Sequence, residues 1–251
     1  MLAVSFHTWE NSDRQREIFA SLDQQTVQVW QAVVSADETK LPTFVRELSL
    51  EEQRRAQQIK HAETRRQFIF ARSWLRKVLG ASLDLPPADL VFAVQSRGKP
   101  FLKLSPQNCD LRFNLSHSGN LVVLALAQGR EVGIDIELIK PPENLTELAA
   151  RVFSPAELAG WQTLPVARQP AAFFSNWTRK EAWLKCTGQG LIDNMSAIEI
   201  FAEDKMNPRL LRPPPFVTPQ KDWIIRDLPL PRDYAGALVC ESDSTAANFP
   251  A

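Results

Sequence analysis

Four short stretches carry residue types and spacings suited to chemistry. In VGIDIE, residues 132–137, the carboxylates of Asp135 and Glu137 are set two apart among Val132, Ile134 and Ile136. Strand side chains alternate faces, so the two acids share one face and the aliphatics the other. Paired hard oxygens suit Mg2+, which takes one or two protein carboxylates and fills its shell with water and phosphate; a half-buried strand with one wet face has the same pattern. In NWTRKEAWLK, residues 176–185, Glu181 and Lys185 stand at i and i+4 of a helix and meet on one side. They form either a surface ion pair of little energetic weight or a working pair. Phe174, Trp177 and Leu184 border the same ridge, where charge is costly to place. NLSHSG, residues 114–119, ends a strand in Ser116, His117, Ser118 and Gly119, small donors that suit a phosphate or an ordinary turn. SRGKPFL, residues 96–102, is a hairpin turn or a loop offering Arg97 and Lys99 to an anion or a base. No G-x-S-x-G elbow surrounds the serines, and neither a Walker A nor a G-x-G-x-x-G sequence occurs.

These groups need elements to hold them. ELSLEEQRRAQQIK contains a capping box, Ser49 with Glu52, and the chain reads helical from there to about Leu79. Phe70, Ala71, Trp74, Leu75 and Val78 recur at helical spacing, and Gly80 with Pro86-Pro87 closes the run. The same helix is rich in base: Arg54, Arg55, Lys60, Arg65, Arg66, Arg72, Arg76 and Lys77. Extended pieces follow, DLVFAVQ, FLKL, DLRFNLS, NLVVLALA and EVGIDIEL, with AQGRE as the hairpin turn joining the last two. NLVVLALA is nearly all apolar, as in a central strand covered on both faces. FSPAELAGW opens the second half with another capping box, Ser154 and Glu157, and Pro155 at N1. A longer helix runs from about Pro170 to Cys186, stopped by Gly188 and Gly190. SAIEIFA, DWIIRDL and GALVCE then return to strand, RPPPFVTP is a loop, and the tail from Ser242 is expected to be disordered. The expected fold is α+β: two similar subdomains forming a pseudo-dimer, each a small, mostly antiparallel sheet packed with a long helix. Residues 1–125 form the first, with the SRGKP loop and the basic helix; 126–241 form the second, with the acids; 242–251 are the tail.

Composition narrows the class. The 251 residues are 44% hydrophobic and 23% charged, enough for a sizeable core. Twenty-nine basic side chains balance 29 acidic ones, so net charge names no partner, and with a single tyrosine this argues against a nucleic-acid binder. Cys109, Cys186 and Cys240 are scattered and odd in number, which speaks against a disulfide framework or zinc site and for a reducing cytoplasm. No apolar run spans a bilayer, and MLAVSFHTWE lacks the basic flank of a signal peptide and reads as a first strand.

Taken in order, GKP at 98–100, FNLSHS at 113–118, VGIDIE at 132–137 and WTRKEAWLK at 177–185 resemble the motifs of the 4′-phosphopantetheinyl transferases, of the large, two-subdomain Sfp-type class. The likeness runs from about Ser49 to Leu191. It implies an enzyme, acting as a monomer, that moves the phosphopantetheine arm of coenzyme A onto a serine of an apo acyl or peptidyl carrier protein and releases 3′,5′-ADP. It implies Mg2+ on Asp135, Glu137 and Glu181, with Glu181 also the candidate base and Lys185 a contact to the coenzyme A phosphates. His117 would lie at the 3′-phosphate and Gly98, Lys99 and Pro100 in the loop against the adenine, with Arg97 and Ser116 as further coenzyme A contacts. One departure stands out: where many relatives place an arginine for the 3′-phosphate, this chain has Gln67, and Arg66 beside it is the candidate replacement. A Mg2+-dependent phosphohydrolase of a nucleotide or coenzyme A derivative is the alternative that would use the same acids.

Overall fold

The computed structural model describes residues 2–9, 19, 22–103, 110–190, 195–201, 208–212 and 222–242. Contacts divide the chain into two compact units, Met1–Gln95 with Pro100–Gly129, and Ser96–Lys99 with Arg130–Ala251. The tail 243–251 and most of RPPPFVTP lie outside the described residues.

In the first unit, β1 (Ala3–Thr8), β2 (Thr26–Val33), β5 (Leu111–Ser118) and β6 (Leu121–Gln128) form a sheet of order β1-β2-β6-β5. It is antiparallel except for the β1–β2 pair. β6 is an inner strand buried from Leu121 to Ala127, which explains its unbroken apolar run. β3 (Phe92–Val94) and β4 (Pro100–Leu102) make a separate hairpin. Among the described residues the unit also holds helices α1 (Leu41–Arg46), α2 (Leu50–Gln58) and α3 (Ala62–Leu83). α3 lays Ala71, Trp74, Leu75, Val78 and Leu79 into a core shared with Trp30, Phe113, Val122, Leu124 and Leu126.

The helix expected to be continuous from Ser49 is two helices. Ser49 caps α2 as anticipated, with both bonds of the box formed. The chain then turns extended at Ile59 and His61 before α3 begins. The break lets Ala56 pack with Leu48 and Ile69; in one straight helix Ala56 and Ile69 would stand about 20 Å apart. Gly80 does not end α3 either. The helix continues to Leu83, and Asp84 takes the left-handed conformation (φ 53°) with its N–H on Gly80 O. Gly80 is needed for space, because a Cβ there would come within 2.6 Å of the Leu85 carbonyl oxygen. Nor is the basic helix all surface: Arg54, Arg55, Lys60 and Arg65 are exposed, whereas Arg76 is buried, donating to Glu52 (2.7 Å), Pro87 O (2.9 Å) and Leu90 O (3.0 Å).

The second unit holds β7 (Val132–Leu138), α4 (Leu145–Val152), α5 (Pro155–Gln162), α6 (Gln169–Thr187), β8 (Glu199–Phe201), β9 (Arg209–Arg212), β10 (Trp223–Asp227) and β11 (Tyr234–Glu241). β7, β11 and β10 form an antiparallel sheet with β11 in the middle. The expected β6–β7 hairpin is absent. Both flanks of β6 are already taken by β2 and β5, and β7 pairs with β11 instead. The chain passes from one unit to the next at Gly129, in the left-handed conformation (φ 70°), and Arg130.

α6 is the organising helix of this unit, buried without interruption from Thr178 to Leu184. It ends at Gly188 (φ 66°), whose N–H bonds Leu184 O. Lys180 is 0% exposed, and its ammonium donates to Val152 O (2.6 Å), Glu157 Oε2 (2.6 Å) and Met195 O (3.2 Å). Glu157 in turn closes the capping box with Ser154 and accepts from Ile200 N. Lys180→Met would leave the Glu157 carboxylate and two carbonyls buried without their cation. We expect a loss of roughly 3–5 kcal/mol, read as a lowered denaturant midpoint; an unchanged midpoint would show the network carries no net stability.

Candidate active site

The site grows from how closely α6 lies on one face of β7. Gly133 points the same way as Asp135 and Glu137, and a Cβ built on it would fall 2.1 Å from Ala182 O and 2.3 Å from Cys186 N. Helix and strand backbones therefore touch at Gly133, and the acid-bearing face turns toward α6. Asp135 is 4% exposed, so the reading of a wet strand face is wrong for it; Glu137 is half-buried. The glycine inside VGIDIE was the available signal of a close backbone approach.

From α6, Lys185 donates to Asp135 Oδ1 at 2.6 Å. Glu181, one turn earlier, is 9% exposed, and its Oε1 is buried with no hydrogen-bond partner. Its carboxyl is pushed up to about 7, first by burial and then by the negative charge of Asp135, with Glu137 adding and Lys185 opposing. The three carboxylates thus feel one another's charge. Among the described residues, however, no group of three or more His, Cys, Asp or Glu side chains is drawn together tightly enough to ligate one ion.

Ser96–Lys99 of the SRGKP loop fall in this second unit, whereas the sequence reading placed the loop in the first. Lys99 Nζ donates to Glu131 Oε2 (2.6 Å), Val132 O (3.0 Å) and Cys186 O (3.1 Å). Arg97 Nη1 donates to Gln189 O (3.1 Å) and to the Gln189 side chain. Gly98 has φ 92°, a conformation that favours glycine, and Pro100 begins β4 in the first unit. The sequence offered no sign of these partners, which lie 32 to 92 residues away in the chain.

Within the first unit, Ser116 is buried near the end of β5, opposite Val123, and His117 is exposed, opposite Val122. Gln67, at the departure from the family pattern, donates to Gly119 O (2.8 Å), tying α3 to the turn after this strand. Arg66 pairs with Glu63, and its Nε is buried without a hydrogen-bond partner.

The 4′-phosphopantetheinyl transferase superfamily profile matches residues 131–239, and the N-terminal profile of 4′-phosphopantetheinyl transferases matches 30–129. The chain is 39% identical over 174 residues to the 4′-phosphopantetheinyl transferase HetI of Nostoc sp., covering 69% of this chain and 73% of that one. This chain is a member of the 4′-phosphopantetheinyl transferase family. A 4′-phosphopantetheinyl transferase of Bacillus subtilis is 31% identical over 62% of this chain and 67% of its own, and AcpT of Salmonella typhi is 40% identical over 55% and 67%. The junction between the two family profiles falls where the contacts also divide the chain. Nothing in these relatives supports the phosphohydrolase alternative. Among the described residues, no helix is long and apolar enough to cross a membrane.

Proposed function

We infer that the protein transfers the 4′-phosphopantetheine arm of coenzyme A to a serine of an apo acyl or peptidyl carrier protein, working as a cytoplasmic monomer. The observation that carries this reading is Glu181: a buried carboxyl with one unpartnered oxygen, poised near neutral pH beside Asp135 and Lys185. A carboxylate of that pKa is suited to accept a proton at physiological pH. Here it takes the proton of the carrier serine as the serine oxygen bonds to the arm's phosphorus. The phosphorus–oxygen bond to 3′,5′-ADP breaks, and the bonding pair leaves with the nucleotide. Lys185 supplies a positive charge for the phosphates. His117 is the residue the family pattern assigns to the 3′-phosphate, Arg66 is the candidate replacement for the arginine missing at Gln67, Ser116 is a further coenzyme A contact, and Gly98 and Pro100 shape the adenine loop.

Asp135, Glu137 and Glu181 fit a Mg2+ site by chemistry, being hard oxygen donors that include a buried oxygen without a hydrogen-bond partner. Bound there, Mg2+ would withdraw charge from the pyrophosphate and stabilise the leaving group. Exposed Arg54, Arg55, Lys60 and Arg65 offer a basic face to an acidic carrier.

The test is mass spectrometry of apo carrier proteins incubated with the enzyme, coenzyme A and Mg2+. The serine gains one phosphopantetheine arm, and Asp135→Ala abolishes the gain while the protein stays folded. Release of 3′,5′-ADP without any carrier would overturn the transfer reading in favour of hydrolysis.

A further inference from the structure

The ammonium of Lys99 has its donors taken. A lysine offers three N–H donors and no acceptor, and Lys99 places them on Glu131, Val132 O and Cys186 O with its side chain 8% exposed. A phosphate could reach this charge only by displacing one of those bonds. Both carbonyl partners sit on elements that carry the site, and Glu131 immediately precedes one of them. Val132 opens β7, which presents Asp135 and Glu137. Cys186 lies in the last turn of α6, beside Lys185 and five residues beyond Glu181. Its carbonyl is among the four that a helix leaves without an internal partner, and a cation there also meets the negative end of the helix. Arg97 repeats the device just past the helix, on Gln189 O. At this same end, the β7 and α6 backbones touch through Gly133.

We propose that Lys99 is a positioning residue: its ammonium pins the start of β7 to the end of α6, and so sets how Asp135 stands against Lys185 and Glu181. Lys99 then contributes to turnover through the site's geometry, and coenzyme A is bound by other groups. The link to turnover rests on the transferase reading above; the pinning itself does not.

The full-length protein carrying Lys99→Met tests both parts. In carrier-modification kinetics, kcat falls by about 10- to 100-fold and KM for coenzyme A stays within about twofold. In amide hydrogen exchange, residues 132–136 and 184–189 lose protection by about tenfold or more, while β2, β5 and β6 are unchanged. A tenfold rise in KM for coenzyme A with kcat and exchange unaltered would overturn the proposal and make Lys99 a direct phosphate contact. Unchanged protection at both segments would overturn it as well, whatever the kinetics. Should the methionine variant not accumulate as folded protein, Lys99→Gln, which keeps two N–H donors, is read by the same exchange comparison. A wild-type enzyme that modifies no carrier would sink the functional reading, and the exchange pattern would still decide the role of Lys99.

Discussion

Glu181→Gln lowers the rate of arm transfer by about 10²–10⁴-fold and at the same time makes the protein more stable at alkaline pH. Both effects come from one carboxyl. Burial and the charges of Asp135 and Glu137 lift it from an ordinary 4.5 to about 7. The folded state therefore holds this proton more tightly than the unfolded chain does, and ionisation opposes folding. The penalty is absent below about pH 4.5, grows as the pH rises, and is complete above about 7. A shift of this size corresponds to about 3 kcal/mol, or roughly 6–12 °C in melting temperature for a chain of this length. Glutamine keeps the shape and removes the charge. Thermal unfolding of the metal-free proteins should show the variant melting higher at pH 8, with the gap closing toward pH 5. A gap that is equal at both pH values would mean that ionisation of Glu181 is not its source. The carboxyl we propose as the proton acceptor is thus also a liability of the fold, as expected where function and stability compete.

Gly133→Ala unfolds the second unit. A single methyl at this position would overlap the Ala182 carbonyl oxygen, the Cys186 nitrogen and the Cys186 Cα, at 2.1, 2.3 and 2.8 Å. All three are backbone atoms inside a buried helix, so no side chain can swing aside. Relief requires α6 to lift off β7, which separates Lys185 from Asp135 and opens the core around Ala182, Trp183 and Leu184. We expect a cost above about 4 kcal/mol, seen as loss of soluble protein or a collapsed denaturant midpoint. Gly160→Ala is the control. It lies exposed in α5 with nothing within 4 Å of an added Cβ, and it should stabilise the protein by about 0.5–1 kcal/mol. Similar midpoints for the two variants would refute the close approach as the reason for Gly133.

Features governed by a few neighbouring residues were legible before any coordinates. Both capping boxes form as written, Ser49 with Glu52 and Ser154 with Glu157. The long helix from Pro170 to Cys186 matches α6 within a residue at each end. The alternation in VGIDIE put Asp135 and Glu137 on one face of a strand, and the apolar run of NLVVLALA made β6 an inner strand. β2, α1, α4 and β9 escaped notice. These successes share a cause: hydrogen bonds at helix ends and the direction of side chains along a strand are settled within about four residues.

What only the tertiary structure decided involves partners far off in the chain. Lys185 finds Asp135 across 50 residues, and Lys99 finds Cys186 across 87. Whether the acid face of β7 is wet or covered depends on a helix that begins more than thirty residues later. Whether AQGRE closes a hairpin depends on β2 having already claimed one side of β6. Residue types and spacing left each pair, Asp135 with Glu137 and Glu181 with Lys185, open between a site and a surface feature, and only the resemblance of the ordered motifs grouped the four. The fold decided that burial would raise the Glu181 carboxyl to near neutrality, because desolvation is a property of everything packed around a group and of no single stretch of sequence.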